Sequence, residues 1–417
     1  MLLIFIYLTT LFIAPQLWVE PFVDMRVDLY IYPVWALTAY LFPSNNKFSI
    51  TAQDKFFLLM VLWIVLSTMV NGFHDRSNEI ILNYSKWFVL YKLVSTTVSS
   101  IDDVKKVGGM LLFFAVVLAI EGIQHMTGES GLGWAGQTLG WIDPSAAAAG
   151  EPGRTRWINI FDGPGVFCVI YTIALPFALH FLSPTFTKGM KIMAVAMTAL
   201  LLVAIYYTGS RGGFLTTLAL IALFIALRYK ISLSKIFIIG GIVTAAFVLA
   251  PSYLTTMDDP SRSAKHRIDM WIEGVEMVQQ NPVFGIGKGN FQGYTGRLIA
   301  HNSSIEIMGE TGIIGLFFWF GLIYISFKNL VCYALETDDS VGKSYVSALG
   351  LAVAGYLISS MFVTLEYETL YFLLGVCAGV GYLVKQPIEF TEKDFWRLSV
   401  ITIGWIVGMK GFLVVYA

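Results

Sequence analysis

The chain has 417 residues, of which 56% are hydrophobic and only 13% charged, with a formal net charge of −1. Soluble domains carry about 25% charged residues, so this sequence lacks the polar surface of a water-soluble shell, in line with its mean hydropathy of +0.70. The near-neutral balance offers a nucleic acid no electrostatic attraction, and Cys168, Cys332 and Cys377, without a CxxC spacing, support neither a disulfide framework nor a metal site.

Apolar runs of about 20 residues recur from end to end, which predicts an all-α polytopic membrane protein. A membrane β-barrel would show short alternating segments instead. Spans are expected at about 2–18, 28–43, 55–70, 80–98, 107–125, 163–183, 190–208, 212–228, 233–250, 302–327, 344–361, 367–385 and 396–416. The fourth contains Lys86 and Lys92 and the last contains Lys410, so the expected count is 12 or 13. Met1 to Trp18 lacks a basic leading region and a small-residue cleavage site, so it reads as a first span rather than a leader.

Two connections are long, at about 126–162 and 251–300. Residues 1–417 therefore read as one membrane domain with two decorated loops. With the amino terminus in the cytoplasm, the cytoplasmic loops collect Lys105, Lys106, Lys188, Lys191, Arg228, Lys235, Lys328 and Lys343, among others. The opposite short loops carry only Arg26, Arg76 and Arg211. That bias puts both long loops on the outer side.

The exceptions to the bias are informative. "YYTGSRGGFL" (Tyr206–Leu215) joins two spans almost without a loop and puts Arg211 on the outer side among glycines. A lone arginine at a span end ordinarily snorkels to lipid headgroups. Its side and its glycine neighbours favour a ligand contact instead, since glycine allows a sharp turn and a close backbone approach.

In the second long loop, Ser263 can cap a helix over about Ala264–Gln279, with Arg267, Trp271 and Val275 at helical spacing. The pattern predicts an amphipathic helix lying on the membrane surface. Arg262, Lys265, His266 and Arg267 cluster at its start, where free N–H groups and the helix dipole also suit a phosphate. A basic helix gripping anionic lipid is an equally good reading of that cluster alone. "NPVFGIGKGNF" (Asn281–Phe291) lacks the spacing of a nucleotide phosphate loop and reads as a glycine turn. Asp258–Asp259 reads as a turn rather than a metal motif.

The next span opens with "AHNSSIEIMGETG". At about 100° per residue, Asn302, Glu306 and Glu310 fall within roughly an 80° arc, with His301 on an adjoining face. Ionisable groups at the edge of hydrocarbon are costly and usually functional. Glu310 can equally serve a structural role by bonding loop backbone.

These segments resemble the shared core of the O-antigen ligase family. The resemblance rests on "RIDMWIEGVEMVQQNPVFGIGKGNF" followed by "HNSSIEIMGETGIIGL", on "TGSRGGFL", and on "RTRWINIFDGPGVFCVIYTIALPFAL", in which Gly165 stands where the family usually has Asn. It covers about 154–327. The family includes O-antigen ligases, Wzy-type polysaccharide polymerases and protein O-oligosaccharyltransferases.

The resemblance implies a GT-C-like fold in the bacterial inner membrane, with the active site facing the periplasm. It implies transfer of a glycan from undecaprenyl pyrophosphate to an acceptor hydroxyl of lipid A–core, another glycan or a protein, without cofactor or metal. It makes Arg211 and Arg267 the pyrophosphate-binding arginines, His301 the essential histidine, and Arg154 or Arg156 a further loop arginine. His301 would serve as base, with Glu306 as reserve or as the group orienting it. Arg262, Lys265, Asn302 and Trp271 complete the expected substrate-binding set. Direct displacement predicts inversion at the anomeric carbon. A polymerase would share the same arginines. A transporter is the alternative from another class, favoured by Lys86, Lys92 and Glu121, but no internal repeat supports it.

Overall fold

The structure is a computed structural model that describes residues 1–23, 25, 27–41, 49–73, 76–140, 153–229, 231, 235, 260–296 and 299–416. The expected span at 233–250 apart from Lys235, the Asp258–Asp259 pair and residues 141–152 of the first long loop lie outside the described residues. The described chain is helical, with two isolated β-bridges and no strand.

The helices are α1 (Leu2–Leu8), α2 (Val27–Leu41), α3 (Ala52–Val70), α4 (Ser77–Thr97), α5 (Ile101–Thr127), α6 (Pro164–His180), α7 (Lys188–Tyr207), α8 (Arg211–Tyr229), α9 (Pro260–Gln280), α10 (Phe291–Thr295), α11 (Ser303–Glu336), α12 (Ser340–Ser359), α13 (Glu368–Gly381) and α14 (Glu392–Tyr416). Seven of these, α3, α5, α7, α8, α11, α12 and α14, are long and apolar enough to cross a membrane. Leu2–Ile13, Leu29–Leu41, Pro164–His180 and Glu368–Gly381 are shorter apolar segments. The protein is therefore an all-α, multi-pass membrane protein.

The first expected span differs from the sequence reading. It is not one helix over 2–18: α1 continues into a π-helical turn at Thr9–Ile13, then Ala14 takes a left-handed conformation (φ 52°) before a tight turn at Pro15–Leu17. Proline has no N–H to continue the ladder, and its ring clashes with the preceding turn.

The chain forms two compact units, each discontinuous in sequence. The first comprises Met1–Val34, Asp102–Arg262 and Asp339–Phe362. Its middle is α6, in which every residue from Phe167 to His180 is buried, surrounded by α7, α8 and α12. Tyr171 Oη on α6 donates to the Leu118 carbonyl of α5 (3.0 Å). At 17 residues α6 is only about 25 Å long, which suits a helix enclosed by protein rather than by lipid. The outer face of α7 carries exposed Ile192, Val195 and Val203, as a lipid contact requires.

The second unit comprises Trp35–Ile101, Ser263–Asp338 and Val363–Ala417. Here α13 is the enclosed helix, buried from Thr369 to Val380, with α4 and α11 against it. Buried polar groups stitch this unit. Gln53 Nε2 donates to Ser326 Oγ (2.7 Å) and the Leu374 carbonyl (3.0 Å), while Asn329 Nδ2 donates to Gln53 Oε1 (2.7 Å). In a lipid-embedded protein such groups must find partners within the chain. Lys92, one of the residues that favoured a transporter, pairs with Asp54 (2.7 Å) and bonds the Ser49 carbonyl (2.8 Å), joining α4 to the start of α3. Glu121, in the first unit, accepts from Gln137 Nε2 (2.8 Å).

Candidate active site

The longest helix, α11, is interrupted at Gly312, whose φ of 72° and ψ of −174° are not helical. A side chain at Gly312 would collide with the Val283 carbonyl, and only glycine accepts this backbone readily. The interruption frees carbonyls that must be satisfied, and each finds a donor in the second unit. Gly309 O accepts from Ile286 N (3.1 Å) and Glu310 O from Gly287 N (2.9 Å) and Ser67 Oγ (3.1 Å). Thr311 O accepts from Trp63 Nε1 (2.8 Å), and the orphaned Ile313 N donates to Pro282 O (2.9 Å). The "NPVFGIGKGNF" loop is thus docked along the break in α11. Gly285 serves that close approach, since a side chain there would strike the backbone of Gly309 and Glu310.

The same loop delivers Lys288 into the protein. Its Nζ lies 2.6 Å from Glu310 Oε2 and 2.8 Å from Glu366 Oε2, with all three side chains at most 9% exposed. Burial alone would lower the Lys288 pKa, but Glu310, Glu366 and Glu306 outweigh it and hold the amine above its ordinary value. Burial in turn holds the Glu366 carboxyl above its usual range, against the pull of Lys288. Tyr84 Oη donates to Glu366, and Phe291 N donates to Glu310 Oε1 (2.9 Å). Glu310 therefore takes the structural role of bonding loop backbone.

Next to this cluster the chain turns into α11 through Ala300, His301 and Asn302. Ala300 is held from both sides: its N–H donates to Glu306 Oε2 (3.2 Å), and its carbonyl accepts from Trp271 Nε1 (2.9 Å). Thr364 Oγ1 also donates to Glu306 Oε2 (2.8 Å). Asn302, fully buried, caps α11 by accepting from Ser304 N (3.1 Å) and Ile305 N (3.3 Å). Between these anchors His301 has a left-handed backbone, φ 51°. That conformation costs a non-glycine residue of order 1–3 kcal/mol and persists only where surrounding contacts impose it.

Arg267, half-buried on α9, is close enough for its charge to act on His301. Burial first, and Arg267 second, lower the His301 pKa to about 4. The imidazole is therefore neutral at neutral pH and able to accept a proton.

The structure corrects the sequence reading of α9. Its apolar face does not lie on a membrane: Met270 and Met277 are buried in a cluster with Phe291, Ala300 and Ile305, joined by Trp271, Ile286, Trp405 and Met409. The large apolar face is explained by this covering. The side chains of Arg262 and Lys265 lie outside the described part of the molecule.

In the first unit, Arg211 is the first residue of α8. Gly209, with φ 56°, makes the turn into it, and Ser210 Oγ accepts from Gly213 N (3.1 Å) to cap the helix. Arg154 lies along this turn: a Cβ at Gly209 would sit 3.2 Å from Arg154 Cγ and Cδ. Arg156 is engaged elsewhere, donating through Nε to Thr138 O (3.0 Å) and pairing with Asp162. Gly212 and Gly213 differ from the sequence expectation of glycines facing a ligand. A side chain at either would strike protein, Phe362 at the first and Cys168 at the second, so their smallness serves helix packing.

The sequence reading missed Lys288, Glu366 and Tyr84. Lys288 was passed over as a turn residue, although a lysine among three glycines beside an apolar segment was the available signal. Glu366 and Tyr84 had none, because 282 residues separate them. Among the described residues no group of three His, Cys, Asp or Glu is disposed to hold a metal ion.

Residues 196–320 match the family model described as O-Antigen ligase. The match lies inside the core expected from the sequence and contains Arg211, Arg267 and His301. That segment is thus similar to an O-antigen ligase domain, which supports a membrane enzyme of the ligase or polymerase type in polysaccharide biosynthesis. No curated protein matches the chain.

Proposed function

We propose that the protein transfers a glycan from undecaprenyl pyrophosphate to an acceptor hydroxyl at the periplasmic face of the inner membrane, in the manner of an O-antigen ligase. The observation that carries this reading is the His301 turn: a neutral, half-buried histidine held in a strained backbone beside Arg267, within the matched domain.

The chemistry follows from these groups. The acceptor oxygen attacks the anomeric carbon, the bond from that carbon to the pyrophosphate oxygen breaks, and the hydroxyl proton passes to His301. Direct displacement inverts the anomeric configuration. Arg267 stabilises the charge developing on the pyrophosphate with a permanent charge and a planar fork of donors, an effect worth roughly 10²–10³ in rate in a partly dry site. Arg211 is assigned the same task by the family resemblance, with Arg154 beside its turn. No metal is needed where arginines carry this load. Pyrophosphate at Arg267 would offset the charge that depresses His301 and so raise its basicity, coupling donor binding to base strength. Glu306 and Trp271 position the turn through Ala300 rather than by touching substrate.

The test uses the full chain in lipid with undecaprenyl-pyrophosphate glycan, chelator throughout, and three acceptors: lipid A–core, a second lipid-linked repeat and a pilin-like peptide. Transfer to lipid A–core that is lost in Arg211→Ala, Arg267→Ala and His301→Ala supports the reading. Transfer to the second lipid-linked repeat instead makes the protein a Wzy-type polymerase. Binding or movement of lipid-linked glycan without transfer to any acceptor makes it a transporter. Retained anomeric configuration in the product would rule out direct displacement.

A further inference from the structure

The first unit contains a second polar site, at the other end of the helix that Arg211 begins. A cavity of about 380 Å³ opens where α6 and α8 finish and α12 begins. The 19 residues of α8 put it about 28 Å from Arg211. His180, Ser183, Arg228, Lys343, Ser344 and Ser347 contribute its polar wall. Phe224, Leu227 and Leu351, on the same helices, give the cavity its apolar lining.

The polar wall is built for an anion. Among the described residues no carboxylate lies within ion-pair distance of Arg228 or Lys343. The hydrogen bond that Arg228 makes is a long one, to the neutral Ser183 Oγ (3.4 Å). His180 is 2% exposed. Its Nδ1 lies 2.5 Å from Ser344 Oγ, and its buried Nε2 has no hydrogen-bond partner. The His180 ring packs against Phe181, Phe186 and Tyr345, so His180 holds Ser344 at the cavity wall while its Nε2 is closed off from the cavity. Two cations that only snorkelled to headgroups would not need a cavity between them.

We propose that this cavity binds the phosphate of an anionic glycerophospholipid, with Arg228 and Lys343 on the phosphate oxygens and the acyl chains along Phe224, Leu227 and Leu351. A phosphate diester is the common chemistry. The apolar lining favours a lipid over a free anion, and basic pockets between membrane helices are where anionic headgroups settle.

The experiment measures lipid retained by the full chain, delipidated in detergent and offered phosphatidylglycerol or phosphatidylcholine, by mass spectrometry of the intact protein. Wild type is expected to retain phosphatidylglycerol at least tenfold over phosphatidylcholine, and millimolar inorganic phosphate is expected not to displace it. The double variant Arg228→Gln/Lys343→Gln is expected to lose that preference, and the charge-preserving Arg228→Lys/Lys343→Arg to keep most of it. Equal retention of the two lipids, or an unchanged preference in Arg228→Gln/Lys343→Gln, overturns the proposal. Binding of inorganic phosphate alone, with the same dependence on Arg228 and Lys343, overturns the lipid as the source. Should the double variant misfold, the exposed single variant Arg228→Gln carries the same test.

Discussion

The turn before Arg211 and the turn at His301 solve one problem in two ways. Each makes the chain reverse through a left-handed residue at the mouth of a helix, with φ of 56° at Gly209 and 51° at His301. At the first, glycine absorbs the conformation at little cost and the arginine follows two residues later on a capped helix. At the second, the candidate base itself occupies the left-handed position. Nothing local favours that. It is imposed by Trp271 and Glu306 on either side of Ala300 and by the Asn302 cap. Local sequence suffices for the first turn, whereas the second depends on tertiary support and pays for it in backbone strain.

This contrast can be tested from the largest effect downward. His301→Ala should lower transfer by about 10³, within the 10²–10⁴ range of a lost general base, while thermal unfolding stays near wild type. Lys288→Met leaves Glu310 and Glu366 without their buried counter-charge. It should cost about 3–5 kcal/mol in stability, read by denaturant titration in detergent, and an exposed lysine would show almost no change. The glycine contrast comes next. Gly209→Ala should destabilise by about 1–2 kcal/mol, the penalty of a Cβ in the left-handed region. His301→Gly should be more stable than His301→Ala by about 1 kcal/mol although equally inactive. Equal stability of those two His301 variants would mean that the turn is not strained. Trp271→Phe removes one hydrogen bond to Ala300 O and should cost about 1 kcal/mol, with kcat reduced more than KM is raised.

The smallest expected effect is on pH dependence. The folded pKa of His301 is lowered to about 4 from an ordinary 6.5. Between those values the unfolded chain takes up a proton that the folded protein refuses. This group's contribution is therefore flat above pH 6.5 and becomes destabilising as pH falls from 6.5 toward 4. The melting temperature of wild type should drop more steeply over that window than that of His301→Gln. Parallel curves would show that His301 is not depressed by burial and Arg267.

The helices were largely legible because a membrane enforces their periodicity and length, and α3, α7, α8 and α12 begin and end within a few residues of expectation. The amphipathic character of α9 was also legible, since Met270, Trp271 and Met277 follow helical spacing. What covers that face was not, because lipid and a protein core select the same side chains. Likewise the paired glycines after Arg211 read equally as freedom near a ligand or as room for Phe362 and Cys168.

By itself the amino-acid sequence determined a multi-pass helical protein and pointed to Arg211, Arg267 and His301 as candidate site residues within the segment that resembles the family core, because each of those readings depends on neighbours a few positions away. Only the tertiary structure decided that α11 breaks at Gly312 around a docked loop, that Lys288 is buried between Glu310 and Glu366, and that His301 is held in a left-handed turn. Those features arise from groups tens to hundreds of residues apart that must satisfy each other's hydrogen bonds and charges away from water, and no local pattern encodes which partner will meet which.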